Sequence, residues 1–193
     1  MVRLGFFALG LAVAAGACAT SGGSAPSTST ASAASVLSIC PKMNISNAPA
    51  TIDGKRLADY SATKTVRGVT LLRAPAPSAC LSSGYGPRRG GASGLHKGVD
   101  LFTRTPKPII AAGAGRITFV GVQRGYGKTV IIDHGRGVET VYAHLSSFSS
   151  AAVKGASIEQ GARLGRTGDT GNASAVHLHY EIRDRGRPLN PLQ

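Results

Sequence analysis

The stretch RITFVGVQRGYGKTVIIDHGRGVETVYAHL, residues 116–145, decides the fold. It contains three apolar, β-branched runs, Arg116–Gln123, Thr129–Asp133 and Val138–Leu145, of the kind that pack well on a pleated surface. Between them stand Arg124-Gly125-Tyr126-Gly127 and His134-Gly135-Arg136-Gly137, whose glycines supply the backbone freedom of tight turns. The alternation predicts an antiparallel meander. Val176–Arg183 (VHLHYEIR) predicts a further strand, closed by the turn Asp184-Arg185-Gly186. From Val153 to Gly171, glycines at 155, 161, 165, 168 and 171 interrupt short apolar pairs, which suits a series of turns and short strands and not a helix. The expectation is a mainly β chain with one compact antiparallel domain over residues 80–193.

Outward from that domain the character changes. Residues 1–17 read as an export signal: Arg3 gives a positive start, and Leu4–Ala17 is apolar but too short for a comfortable membrane span. Ala15-Gly16-Ala17-Cys18 looks like a lipobox, with Ala15 where leucine is commonest. It would place a lipid on Cys18, although an ordinary signal-peptidase site fits the same residues. Residues 18–35, rich in Ser, Ala and Thr, cannot bury enough apolar surface to offset chain entropy and read as a tether. Residues 36–79 are expected to form an N-terminal extension packed on the domain, with Val66–Arg73 as one strand. Cys40 and Cys80 remain in the exported part. In an oxidising compartment such a pair is most simply a disulfide, with two buried free thiols as the alternative.

The formal net charge is +13, from 22 basic and 9 acidic residues. That favours a polyanionic partner such as an anionic membrane or an acidic wall polymer. Nucleic acid is the weakest option, because the basic residues are scattered singly and few aromatics are present to stack on bases.

Four of the five histidines fall into three clusters. In an extended strand residues two apart share a face, so His177-Leu178-His179 sends both imidazoles to one side. His96 and Asp100, four apart in His96-Lys97-Gly98-Val99-Asp100, would also share a face if extended, while Gly98 leaves a local bend equally open. Two histidines and a carboxylate suffice to hold one zinc ion and leave a fourth position for water, as a catalytic site requires. His177, beside His179, and His144, in Tyr142-Ala143-His144-Leu145, are the candidates for moving a proton and for stabilising an oxyanion. Glu181 shares the face of His179 and is either an orienting partner for an imidazole or a plain surface carboxylate. His134 reads as structural.

These blocks have a familiar order. Ser83-Gly84-Tyr85-Gly86-Pro87-Arg88, the His96–Asp100 block, Gly125-Tyr126-Gly127 through Gly135, Thr140–Leu145, Gly165–Gly171 and His177-Leu178-His179-Tyr180-Glu181 together resemble the lysostaphin/LytM-type peptidoglycan endopeptidases over about Ser82 to Pro191. The resemblance implies the duplicated hybrid motif fold of that family. It implies zinc ligands at His96, Asp100 and His179, and a catalytic pair at His144 and His177. It offers Tyr85, Arg88 and Tyr142 as candidate substrate contacts. Departures lie at Arg104-Thr105-Pro106-Lys107 and at Ala175-Val176, the second beside the cleft. The implied activity is zinc-dependent hydrolysis of peptidoglycan peptides, with the D-Ala–diaminopimelate cross-link as the favoured bond. A non-catalytic regulator that activates a cell-wall amidase is the alternative. A monomeric, periplasmic, outer-membrane-anchored lipoprotein of a Gram-negative envelope is the expected setting.

Overall fold

The computed structural model describes Met1, residues 36–88 and residues 94–193. The export signal beyond Met1, the tether and Cys18 lie outside the described residues. Fifteen strands follow one another: β1 Thr63–Val66, β2 Val69–Leu72, β3 Cys80–Ser83, β4 Gly86–Pro87, β5 Leu95–His96, β6 Val99–Phe102, β7 Pro108–Ile110, β8 Gly115–Gln123, β9 Gly127–Asp133, β10 Val138–Leu145, β11 Ser147–Phe148, β12 Ser157–Ile158, β13 Arg163–Arg166, β14 His177–Asp184 and β15 Arg187–Leu189. The described residues contain no helix, and every pair of these strands is antiparallel.

The main sheet runs β12-β8-β9-β10-β14-β6-β3, with β15 also paired to β14. Its centre is the predicted meander. The glycine turns bring Arg116 opposite Asp133 and Glu139 opposite Asp133, and β10 then pairs with β14 from Val138↔Asp184 to Ala143↔His179. A smaller sheet, β11-β13-β7, covers one face. Ile117, Ile132, Leu178 and Ile182 of the main sheet share one buried cluster with Ile109 and Leu164 of the smaller one. Burial of such side chains contributes about 1.5–3 kcal/mol each, which fixes the register that faces the core.

Val66–Arg73 is not the single strand its composition suggested but the turn and second strand of a hairpin that spans Thr63–Leu72. Arg67 and Gly68 both adopt positive φ, 50° and 78°, the backbone of a two-residue hairpin turn, and Val66 pairs with Val69. The hairpin docks through Leu71, which is fully buried, and through the Leu72 carbonyl, which accepts from the Tyr180 hydroxyl at 2.8 Å. Ahead of it, the segment 37–47 runs beside β3 with parallel bridges Ile39↔Leu81 and Ser46↔Ser83, and a disulfide joins Cys40 to Cys80.

Candidate metal centre

Strands β6, β14 and β10 lie side by side in the main sheet, and their shared face gathers the candidate residues. Asp100 on β6 is directly opposite His179 on β14, with His177 two residues earlier on the same face. His96 ends β5. The chain then turns through Lys97 and Gly98 into β6, passing so close to β14 that a Cβ on Gly98 would collide with the Tyr180 carbonyl oxygen. His96 Nε2 thereby comes within 3.1 Å of Asp100 Oδ1 and 3.2 Å of His179 Nδ1, and His179 Nδ1 lies 2.9 Å from Asp100 Oδ1.

The opposite ring nitrogens explain this aim. His96 Nδ1–H donates to the Gly84 carbonyl at 2.6 Å, and His179 Nε2–H donates to Glu181 Oε1 at 3.0 Å. Each imidazole is thus turned so that its other nitrogen faces Asp100. Glu181 is fully buried, and its second oxygen takes Arg183 Nε and Nη2, both at 2.7 Å. The Tyr126 hydroxyl also donates to Glu181 Oε1 at 2.8 Å.

Burial would raise the Asp100 carboxyl, but hydrogen bonds from His179 and His96 overcome it and hold the group well below the usual carboxylate range. Burial opposes a charge on His179, yet its bonds to Asp100 and Glu181 win and lift it to about 9. Both shifts mark the point between these three groups as one where positive charge is electrostatically favoured. The three donor atoms are 2.9–3.2 Å apart. That is close to the roughly 3.3 Å edge of a tetrahedron with ~2.0–2.1 Å bonds to nitrogen and oxygen, so the donor set fits zinc in both type and spacing.

Two more imidazoles flank this triad. His144 Nδ1–H donates to the Thr170 carbonyl and His177 Nδ1–H to the Ala175 carbonyl, each at 2.7 Å. Both leave Nε2 bare; that of His177 is 3.7 Å from Asp100 Oδ1, and the two rings are 4.8 Å apart. His144 holds φ at 63°, where β10 shifts register against β9 between Tyr142 and Leu145. A bulge of this kind re-aims a side chain, and the left-handed backbone is a local cost retained at the site. Burial pushes the His144 ring down to about 4, against the pull of the Thr170 carbonyl, so it is neutral at neutral pH.

A groove of about 810 Å³ opens over these groups, walled on one side by Met43, Ser46 and Ser82 and on the other by Tyr126 and Asn172–Ala175. Arg88 lines it and reaches Asp100 Oδ2 at 3.3 Å. Tyr142 does not face the groove: it is fully buried, and its hydroxyl is taken up by the Ala112 amide and Thr140. Tyr85 also turns away, packing on the core and donating to the Pro188 carbonyl at 3.1 Å. Neither side chain lines the groove.

Residues 94–191, half of the chain, match peptidase family M23. The chain belongs to peptidase family M23. Among its M23 relatives is the DD-carboxypeptidase/endopeptidase Mpg of Neisseria meningitidis serogroup B, 45% identical over 98 residues, which are 51% of this chain and 22% of that protein. The murein hydrolase activator NlpD of Salmonella dublin is 30% identical over 134 residues, 69% of this chain and 33% of that one. The chain thus spans between a fifth and a third of the length of these two relatives. Among solved structures, a zinc-containing peptidase from Vibrio cholerae superposes with a TM-score of 0.60 at 25% identity, over 72% of this chain and 48% of that one. The all-β antiparallel architecture is that of the lysostaphin-type M23 domains.

Sequence reasoning did not single out Tyr126 as a partner of Glu181, or the groove wall at Met43 and Ser46. Tyr126 stood in a turn between two glycines, where its rigid placement had a signal. The wall had none, because residues 40–47 carry no periodic pattern.

Proposed function

We propose that this M23 chain is a zinc-dependent peptidase that hydrolyses peptidoglycan peptides. The observation that carries the reading is the convergence of five groups on one face: His96, Asp100 and His179 around a point sized for a cation, and the bare Nε2 atoms of His144 and His177 beside it. His96 Nε2, Asp100 Oδ1 and His179 Nδ1 would hold one zinc ion. When bound, zinc supplies Lewis acidity toward the scissile carbonyl and acidifies a water in its open position.

This chain's own residues do the rest. His144, neutral through its burial, accepts a proton at Nε2 from the water whose oxygen adds to the scissile carbonyl carbon, and returns it to the leaving amine as the C–N bond breaks. His177 presents Nε2 from the adjacent strand, where its imidazolium form, having taken a proton from solvent in the groove, would donate to the oxyanion and keep that proton. The carbonyls of Thr170 and Ala175 fix which nitrogen each ring offers. Arg88 sits at the groove edge, where a substrate carboxylate would meet its exposed side. The favoured bond is the D-Ala–diaminopimelate cross-link. On the same reading, residues 80–193 are the peptidase domain and residues 36–79 its packed extension, delivered to the periplasm by the export signal and held at the outer membrane through a lipid on Cys18.

The test is digestion of isolated Gram-negative sacculi, with mass spectrometry of what is released. New termini within the peptides, absent when His144 or His177 is replaced by Ala, support the peptidase. The relative named as a murein hydrolase activator favours a second reading, an activator of a cell-wall amidase. That role would leave sacculi intact until an amidase is added, and would then survive both histidine replacements.

A further inference from the structure

The segment 37–47 lies outside residues 94–191, the part of the chain that matches the family. It is nevertheless built into the metal centre. The disulfide Cys40–Cys80 fixes it to β3, where the Cys40 amide donates to the Leu81 carbonyl at 2.9 Å and the Leu81 amide donates to the Ser38 carbonyl at 2.8 Å. At its far end the Gly84 amide donates to the Ser46 carbonyl at 2.8 Å. The contact there is tight: a Cβ on Gly84 would collide with the Asn47 carbonyl oxygen, so only glycine lets the two backbones meet. Asn47 is itself left-handed, at φ 53°, a conformation asparagine tolerates better than most residues.

Gly84 is the residue whose carbonyl accepts from His96 Nδ1–H at 2.6 Å, with Ser83 Oγ further off at 3.4 Å. That bond selects the tautomer of His96 and aims its Nε2 at Asp100 and His179. Ser46 therefore grips the amide of Gly84 while Gly84 grips the metal-facing histidine. Met43 and Ser46 of the same segment also form one wall of the groove.

We propose that the disulfide-clasped segment 37–47 is a positioning element of the metal centre, holding the Gly84 carbonyl that orients His96. The proposal rests on the reading of His96 as a zinc ligand but not on the chain being a hydrolase. Groups that orient a metal-bound histidine typically govern affinity by 10–100-fold, so release of this segment should cost about tenfold in zinc affinity.

Zinc affinity would be measured by competition with a chromogenic chelator on the purified, oxidised protein and on two variants. The first replaces both Cys40 and Cys80 by Ser, with folding followed by circular dichroism. The second, Asn47→Val, leaves the disulfide in place but puts a β-branched residue where φ is positive, which loosens the grip on Gly84. A loss of about tenfold in either folded variant, with the His96 Nδ1–H resonance in nitrogen-15 spectra broadened or lost, is the expected result. Asn47→Val keeping both wild-type affinity and that resonance overturns the proposal, whatever the serine variant does. Digestion of sacculi is scored separately. Weakened zinc binding in the variants of a protein that never cuts sacculi would sink the peptidase reading and leave the positioning role standing.

Discussion

Glu181 Oε1 lies 3.0 Å from His179 Nε2, two residues along the same strand, and the carboxylate is fully buried. Its other partners, Tyr126 and Arg183, leave it no freedom to turn. The carboxylate accepts the Nε2 proton and raises the basicity of Nδ1, the nitrogen that faces Asp100 and His96. Glu181→Gln keeps the shape but removes the charge, and should weaken zinc binding about tenfold while leaving the fold intact. Chelator competition reads the affinity, and an unchanged value would make Glu181 a purely structural group.

Metal uptake should expel a proton. The folded pKa of His179 is raised from 6.5 to about 9, so the metal-free protein holds this proton more tightly than the unfolded chain does. Its stabilising effect is complete below about pH 6.5 and fades as the pH climbs through 9. Zinc needs the same Nδ1 lone pair, so its affinity runs the opposite way and rises with pH over that window. Calorimetry at pH 7 in buffers of different ionisation enthalpy should show about one proton released per zinc bound. Heats independent of the buffer would contradict this account of the metal-free site.

His144 behaves in the reverse sense. Burial depresses its folded pKa from 6.5 to about 4, so folding is unaffected by this group above pH 6.5 and is increasingly disfavoured as the pH falls through 4. In proton spectra of the metal-free protein the His144 ring should show no titration between pH 8 and about pH 5. A midpoint near 6.5 would mean that the ring is hydrated and that the bulge at φ 63° does not hold it against the Thr170 carbonyl.

Gly98 sets the distance between β6 and β14. A methyl group there would meet the Tyr180 carbonyl oxygen, part of the backbone that carries His179 and Glu181. Gly98→Ala should therefore cost about 1–3 kcal/mol of stability and should also weaken zinc binding, because it separates Asp100 from His179. Thermal unfolding and chelator competition together test this, and a variant with wild-type values in both would refute the close approach.

Much of the site was legible because two simple periods coincide. The alternation of His177, Leu178 and His179 puts two imidazoles on one face and Leu178 in the core, as the structure has it. Residues 116–145 were equally readable, since the three apolar runs are separated by glycines that adopt positive φ at 125, 127, 135 and 137. The hairpin at Arg67–Gly68 was not, because Val-Arg-Gly-Val is apolar enough to pass for continuous strand and arginine is a rare occupant of a left-handed turn. Tyr142 misled for a different reason. A strand tyrosine two residues before a candidate histidine looks like a groove residue, and only the three-dimensional network shows its hydroxyl spent on Ala112 and Thr140. The bend at Gly98, left open by spacing alone, is decided by the approach to Tyr180.

Metal content measured together with sacculus digestion, on the wild-type protein, on Asp100→Ala and on His177→Ala, tests the metal centre and the peptidase at once. About one zinc per wild-type chain with muropeptides released, no zinc and no release for Asp100→Ala, and full zinc without release for His177→Ala are the expected results. Zinc-loaded wild-type protein that leaves sacculi of several types uncut would contradict the peptidase. A wild-type chain that binds no zinc would contradict the metal centre itself.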